Sequence, residues 1–291
     1  MSLVRMACVF ASVFLLASCR LGGGGGSAPA VNPNLPIQNT APIRAATGGA
    51  PLNMSPAQIK SQVANLAGKA DEVLASDIIT VGGQYYTSAN CSGTVCTIGG
   101  QRITLNDLNL DELDYGPVMS RNGVAVVQTR QKTPFGAGDY IADVVGGIMD
   151  HAGFAVSAQY YQDAQGANYP VAYALALGND TGSRPRSGTA TWRGVMTGAN
   201  MSSYEGLIGD ATLTANFAAS NIDAAFTNVH EMKTGADRSS ILFNNVPFTS
   251  DGFESGSGSN RIEGKFYGPD HAEAAGVFRR GSVVGAFGAN R

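Results

Sequence analysis

The sequence predicts a mainly β protein: a C-terminal eight-stranded antiparallel soluble β-barrel, preceded by a small β-rich subdomain and one N-terminal helix. Three observations carry this expectation. Beyond about Gly146 apolar and polar residues alternate with period two, as in Ala190, Trp192 and Met196 against Thr189, Thr191, Arg193 and Thr197. That alternation gives each strand one buried and one solvated face. Only 14% of the residues are charged and 38 of 291 are Gly, which suits short strands joined by tight turns. A single stretch, from Ser55, has helical spacing.

Residues 1–18 have the anatomy of an export signal: a basic start at Arg5, then an uncharged apolar run from Ala7 to Leu16 that is too short to span a bilayer. The run ends in Leu16-Ala17-Ser18-Cys19, the lipobox pattern, which predicts cleavage before Cys19 and acyl chains on that cysteine. Two or more chains make a stable membrane anchor. In enterobacterial lipoproteins an aspartate after the lipidated cysteine signals retention in the inner membrane. Arg20 stands there instead, so the expected address is the outer membrane.

Residues 19–53 are rich in Gly, Pro, Ala and Asn, with five consecutive glycines from Gly22 to Gly26, and are expected to be a disordered tether. Residues 54–145 are expected to hold the helix and the small subdomain. Ser55-Pro56-Ala57-Gln58 reads as a capped helix start, and Ile59, Val63, Leu66, Ala70 and Val73 extend the apolar stripe to about Ala75. Strands follow at Ile78 to Val81, Tyr85 to Ser88, Val95 to Ile98, Arg102 to Leu105 and Val124 to Gln128. Leu105 to Leu113 fits a helical turn or a loop equally. Once Cys8 leaves with the signal and Cys19 is lipidated, Cys91 and Cys96 remain in an oxidising compartment and are expected to form a disulfide.

Residues 146–291 are expected to be the barrel, with strands at Phe154 to Tyr161, Val171 to Leu177, about Thr189 to Thr197, Ala211 to Phe217, Ile222 to Val229, Ile241 to Phe248, Arg261 to Phe266, Ala274 to Arg279 and Val283 to Phe287. A sandwich is the alternative architecture. Outward positions carry Thr, Arg, Asn, Glu and Lys, unlike a lipid-facing barrel, so a filled apolar interior is expected.

The C-terminal residues resemble a known family. Gly264-Lys265-Phe266-Tyr267-Gly268-Pro269, then Ala272-Glu273-Ala274-Ala275-Gly276-Val277-Phe278, then Gly285-Ala286-Phe287-Gly288-Ala289 are similar to the closing strands of transferrin-binding protein B lobes, and to the barrels of factor H binding protein and haemophilin. Gly146 to His151 and Gly188 to Gly194 resemble related lipoproteins of alphaproteobacteria. The resemblance implies a surface lipoprotein that captures a protein or a haem- or iron-bearing ligand, displayed with the help of an outer-membrane lipoprotein translocator. It transfers no ligand-binding residue to this chain.

Catalytic and metal motifs are not found. His151, His230 and His271 lack two-His spacing, and Asp150-His151, as neighbours on a strand, are expected to face opposite ways. The reading is therefore a non-enzyme without a cofactor or metal, and a net charge of −3 offers no stripe for nucleic acid. Tyr85, Tyr86, Tyr160 and Tyr161 are candidate contact residues, and Arg184, Arg186, Arg279 and Arg280 a candidate basic rim. Binding is expected through Ile78 to Tyr140 and the barrel loops. The alternatives are a structural envelope lipoprotein or a solute-binding lipoprotein facing the periplasm.

Overall fold

The computed structural model describes residues 39–291 apart from 77, 81–84, 88, 94, 99–100, 105–113, 136–137, 163–170, 180–186 and 204. The signal, Cys19, the glycine run, the Leu105 to Leu113 stretch, Arg184 and Arg186 lie outside the described residues. The expected tether ends earlier than Asn53, because helix α1 (Ala41–Thr47) is formed, closed by Gly48 in the left-handed conformation. Composition suggests no structure there. Ile43 nevertheless inserts fully buried among Met119, Met201 and Met232, and Ala50 exchanges backbone hydrogen bonds with Ser120. One anchoring side chain and a glycine cap suffice once a tertiary groove receives them.

Helix α2 (Pro56–Lys69) starts as read, with the reciprocal Ser55–Gln58 capping box. It stops at Lys69 rather than Ala75, and Glu72–Ala75 is strand β1, paired with β11 (Val171–Gly178). Val73 fits a helical stripe and a buried strand equally well, and pairing decides.

The strands that follow are β2 (Ile78–Thr80), β3 (Tyr85–Thr87), β4 (Ala89–Ser92), β5 (Val95–Ile98), β6 (Gln101–Thr104), β7 (Asp114–Arg121), β8 (Val124–Phe135), β9 (Gly138–Ile148) and β10 (Ala152–Gln162), leading to β11. All pairings are antiparallel. The first sheet runs β3-β2-β11-β10-β9-β8-β7 with β1 beside β11, and β4-β5-β6 form a separate small sheet. The strands expected at Phe154 to Tyr161 and Val171 to Leu177 thus pair here and not in the barrel. β10 and β11 complete a larger first sheet. Period two shows which faces are buried but not which strands are partners.

The second sheet contains β12 (Thr189–Asn200), β13 (Glu205–Asn216), β14 (Asn221–Glu231), β15 (Asp237–Arg238), β16 (Ile241–Pro247), β17 (Gly252–Ser257), β18 (Asn260–Tyr267), β19 (Glu273–Arg280) and β20 (Val283–Asn290). Setting aside the two-residue β15, eight strands run β16-β14-β13-β12-β20-β19-β18-β17. The edge strands β16 and β17 are consecutive in the chain and meet through the Phe248–Phe253 bridge, so the seam is a hairpin turn and not a continuous ladder. β17 replaces a strand that the sequence reading had drawn from the first sheet. Its Ser-Gly composition looks like loop.

The interior of the curled sheet is filled with rings. Trp192, Phe266, Phe253, Phe287, Phe226 and Phe278 form an unbroken series of contacts with centroids 4.6–6.3 Å apart. The motif glycines make room for them. Gly264 lies under the Phe253 ring and Gly285 under Phe278. At Gly194 a Cβ would come within 1.9 Å of the Gly288 carbonyl oxygen, backbone that cannot move without breaking the β12–β20 ladder. Gly194→Ala is expected to cost about 1–3 kcal/mol, read as a lower urea midpoint at unchanged slope.

One face of the first sheet wraps α2 through Ile59, Leu66, Tyr115, Val127 and Ile148. Its other face packs on the outer wall of the barrel, where Val124, Val145, Phe154 and Val156 meet Val195, Val277, Val284 and Ala286. Strands β19 and β20 are consequently buried on both faces. Polar ties ring this apolar contact. Arg121 grips Asp210 with both Nε (2.8 Å) and one terminal nitrogen (2.9 Å), Lys265 pairs with Glu72, and the Glu273 carboxylate accepts the backbone N–H groups of Asp150 and His151.

Candidate binding surface

Rings fill the barrel interior. The region expected to bind, Ile78 to Tyr140, is divided by the fold: β2 and β3 lie at one edge of the first sheet, β7 and β8 at the other, and β4 to β6 in a sheet of their own. The register nonetheless gathers tyrosines at one end of the first sheet. Tyr161 stands opposite Tyr140 and Tyr160 opposite Ile141 on β9–β10; Tyr85 stands opposite Ile79, whose other neighbour is Ala172. This end lies away from the turn at Asp150 and His151, which abuts the barrel.

Of the candidate arginines, Arg279 and Arg280 are described, and both have structural partners. Arg279 is buried and donates its Nε–H to the Gly281 carbonyl. Arg280 lies 4.6 Å above the Phe243 ring and bonds Asn260 and the Leu242 carbonyl, drawing the seam together. Arg279, being buried, is not part of an exposed rim. Leu242 is the large apolar side chain exposed among the described residues, at 44%. Its strand is guarded against strand addition by the bulge around Asn245, by Pro247 and by Arg280.

Asp150 and His151 lie in a turn and not on a strand, so opposed strand faces do not apply; Glu273 holds their amides. Burial raises the Glu273 carboxyl above the usual range against the lowering by those N–H donors. His271, at positive φ, offers its carbonyl to the Trp192 indole N–H at 2.8 Å and its ring edge to Phe266. His230 is buried in a polar network with Asn228 and Asp237. Among the described residues no group of three or more His, Cys, Asp or Glu is placed to hold a metal ion, and no helix is long and apolar enough to cross a membrane. The reading from sequence missed Arg121–Asp210, 89 positions apart, and Arg130–Asp143; neither has a local signal.

Cys91 stands directly opposite Cys96 on the β4–β5 hairpin, next to the Ser92–Val95 pair that flanks the turn.

Residues 179–291 match the family described as the C-lobe and N-lobe beta barrels of Tf-binding protein B. The C-terminal fold is transferrin-binding protein B-like. Solved structures of transferrin-binding protein B (TbpB) are also similar. A double mutant from Haemophilus parasuis Hp5 is 14% identical with a TM-score of 0.41, covering 75% of this chain and 44% of that one. Intact Ap-TbpB, with N and C lobes, is 15% identical with a TM-score of 0.41, covering 75% and 46%. The chain thus spans less than half the length of these structures. A search of curated proteins returned no match. The TbpB-like match begins at Asn179, one residue after β11 ends, so it coincides with the second sheet.

Proposed function

We propose that this protein is an outer-membrane lipoprotein of the TbpB-like type, exported by residues 1–18, anchored by acyl chains on Cys19 and binding a protein or an iron- or haem-bearing ligand at the cell surface. The observation that carries the binding reading is the ring-filled barrel of TbpB-like fold, which leaves recognition to loops and to the tyrosine-bearing end of the first sheet. Rigid aromatic side chains at such positions make strong contact residues. An outer-membrane translocator would deliver the chain to the surface.

Protease treatment of intact cells, followed with an antibody to the barrel, tests the address. Loss of the barrel signal with a periplasmic control intact supports surface display, whereas full protection sinks it. Pull-down with the purified mature protein tests the ligand, and a haemin titration without a Soret shift removes the haem version.

Cys91 and Cys96 are proposed to form a disulfide. Opposed antiparallel residues have Cα atoms about 4.5–5.5 Å apart, within the span a disulfide bridges. The expected result is that both thiols resist alkylation in denaturant until a reductant is added. Immediate alkylation of the exported protein would refute it.

A further inference from the structure

We propose that His230 is a protonation latch that holds the β14–β15 hairpin beneath helix α1. The argument is one of donors and acceptors. The Nδ1 of His230 lies 2.9 Å from an Asp237 carboxylate oxygen and 3.2 Å from the Gly235 carbonyl, while Nε2 lies 2.7 Å from Asn228 Oδ1. Both ring nitrogens therefore face acceptors, and only the imidazolium has a proton for each.

The Asn228 amide cannot turn to relieve this. Its Nδ2 faces Asp210 Oδ2 at 3.5 Å, so reversal would set its oxygen against a carboxylate, and Asp210 is itself fixed by the two-pronged grip of Arg121. Asn228 holds this position because it occupies a left-handed bulge, φ 50°, in β14. The chain Arg121, Asp210, Asn228, His230, Asp237 thus sets acceptors at both ring nitrogens of a buried histidine, although Asp237 itself is largely exposed.

The surrounding charges are accounted for. β13 contributes Asp210 and Glu205, β14 itself Glu231, β15 Asp237 and Arg238, the turn Lys233 and α1 Arg44, whereas β16 carries no charged residue. Arg238 pairs with both Glu205 and Glu231, and Arg121 pairs with Asp210, which leaves Asp237 as the carboxylate in contact with the His230 ring. The hairpin is a seat for α1: a Cβ at Gly235 would lie 3.5 Å from the Pro42 carbonyl oxygen and 3.6 Å from Ala46 Cβ. Loss of the proton removes one of the two ring hydrogen bonds, loosening the hairpin and then the helix that rests on it.

The test combines nitrogen NMR of the His230 ring with hydrogen exchange across the hairpin, from about pH 5 to about pH 8, where imidazoles titrate. At the acid end both ring nitrogens should carry protons. As the ring deprotonates, protection factors of the Glu231 and Gly235 amides, which bond within the hairpin, should fall about tenfold or more. His230→Gln should abolish that pH dependence, and Asn228→Gly, which tolerates the left-handed bulge but removes the acceptor at Nε2, should weaken it. A ring with a single N–H throughout the range beside a fully protected hairpin overturns the proposal, as does an unchanged pH dependence in His230→Gln.

Discussion

Trp192→Ala is expected to cost about 3–5 kcal/mol, enough to remove much of the stability of an ordinary domain. Trp192 is fully buried, packs against Phe266 with the rings tilted and their centroids 5.0 Å apart, and meets Phe217 edge-on. Its indole N–H donates to the His271 carbonyl, tying the β18–β19 turn to β12. Truncation opens a cavity and also leaves that carbonyl without its donor. Trp192→Phe separates these effects, because it keeps most of the packing and loses the hydrogen bond, for which about 1 kcal/mol is expected. Urea unfolding of both variants measures the ladder. Equal losses would mean that the indole N–H, not the ring, dominates.

The alternation in β12 to β14 was legible because their outer faces meet solvent over much of their length, leaving Thr, Asn and Asp opposite the buried residues. In β19 and β20 the alternation fades. Ala275, Val277, Val284 and Ala286 face outward yet are buried under the first sheet. The near-continuous apolar runs there are the mark of strands covered on both sides, and they could have revealed the docked layer.

Pairing partners were not legible. Nothing local distinguishes Val171 to Leu177 from a barrel strand, and only the register with β10 and β1 assigns it. The candidate site was legible to a similar depth. The glycines of the closing motif could be read as architecture, and Gly264, Gly276 and Gly285 do make room for backbone or rings. The polar ties could not be read, because Arg121 and Asp210 meet only after two sheets have formed.

Arg130→Ala should show a cost that depends on pH. Arg130 and Asp143 stand opposite each other on β8 and β9, joined by contacts of 2.6 and 2.8 Å. Asp143 is wholly buried, on the same face as Val145 against the barrel, whereas about a third of the Arg130 side chain is exposed. Burial raises the Asp143 carboxyl to about 6, with the hydrogen bond and charge of Arg130 pulling the other way. A carboxyl that binds its proton more tightly folded than unfolded favours folding at low pH. In the parent protein this group's contribution is complete below about pH 4 and falls by about 3 kcal/mol as pH rises through 6.

Without Arg130 the carboxyl has lost what lowered it, so its ionisation is postponed to higher pH and costs more when it comes. At about pH 8 the variant should lose roughly 3–5 kcal/mol, the usual result of stranding one buried charge. At about pH 5 Asp143 is mostly protonated in both proteins and the loss should shrink to that of an ordinary part-exposed side chain, about 1 kcal/mol or less. Adding Asp143→Asn to Arg130→Ala removes the stranded charge and should restore most of the loss at the higher pH. Urea midpoints of the three proteins at both pH values measure this. An equal loss at both would place the worth of Arg130 in its aliphatic packing and not in its charge.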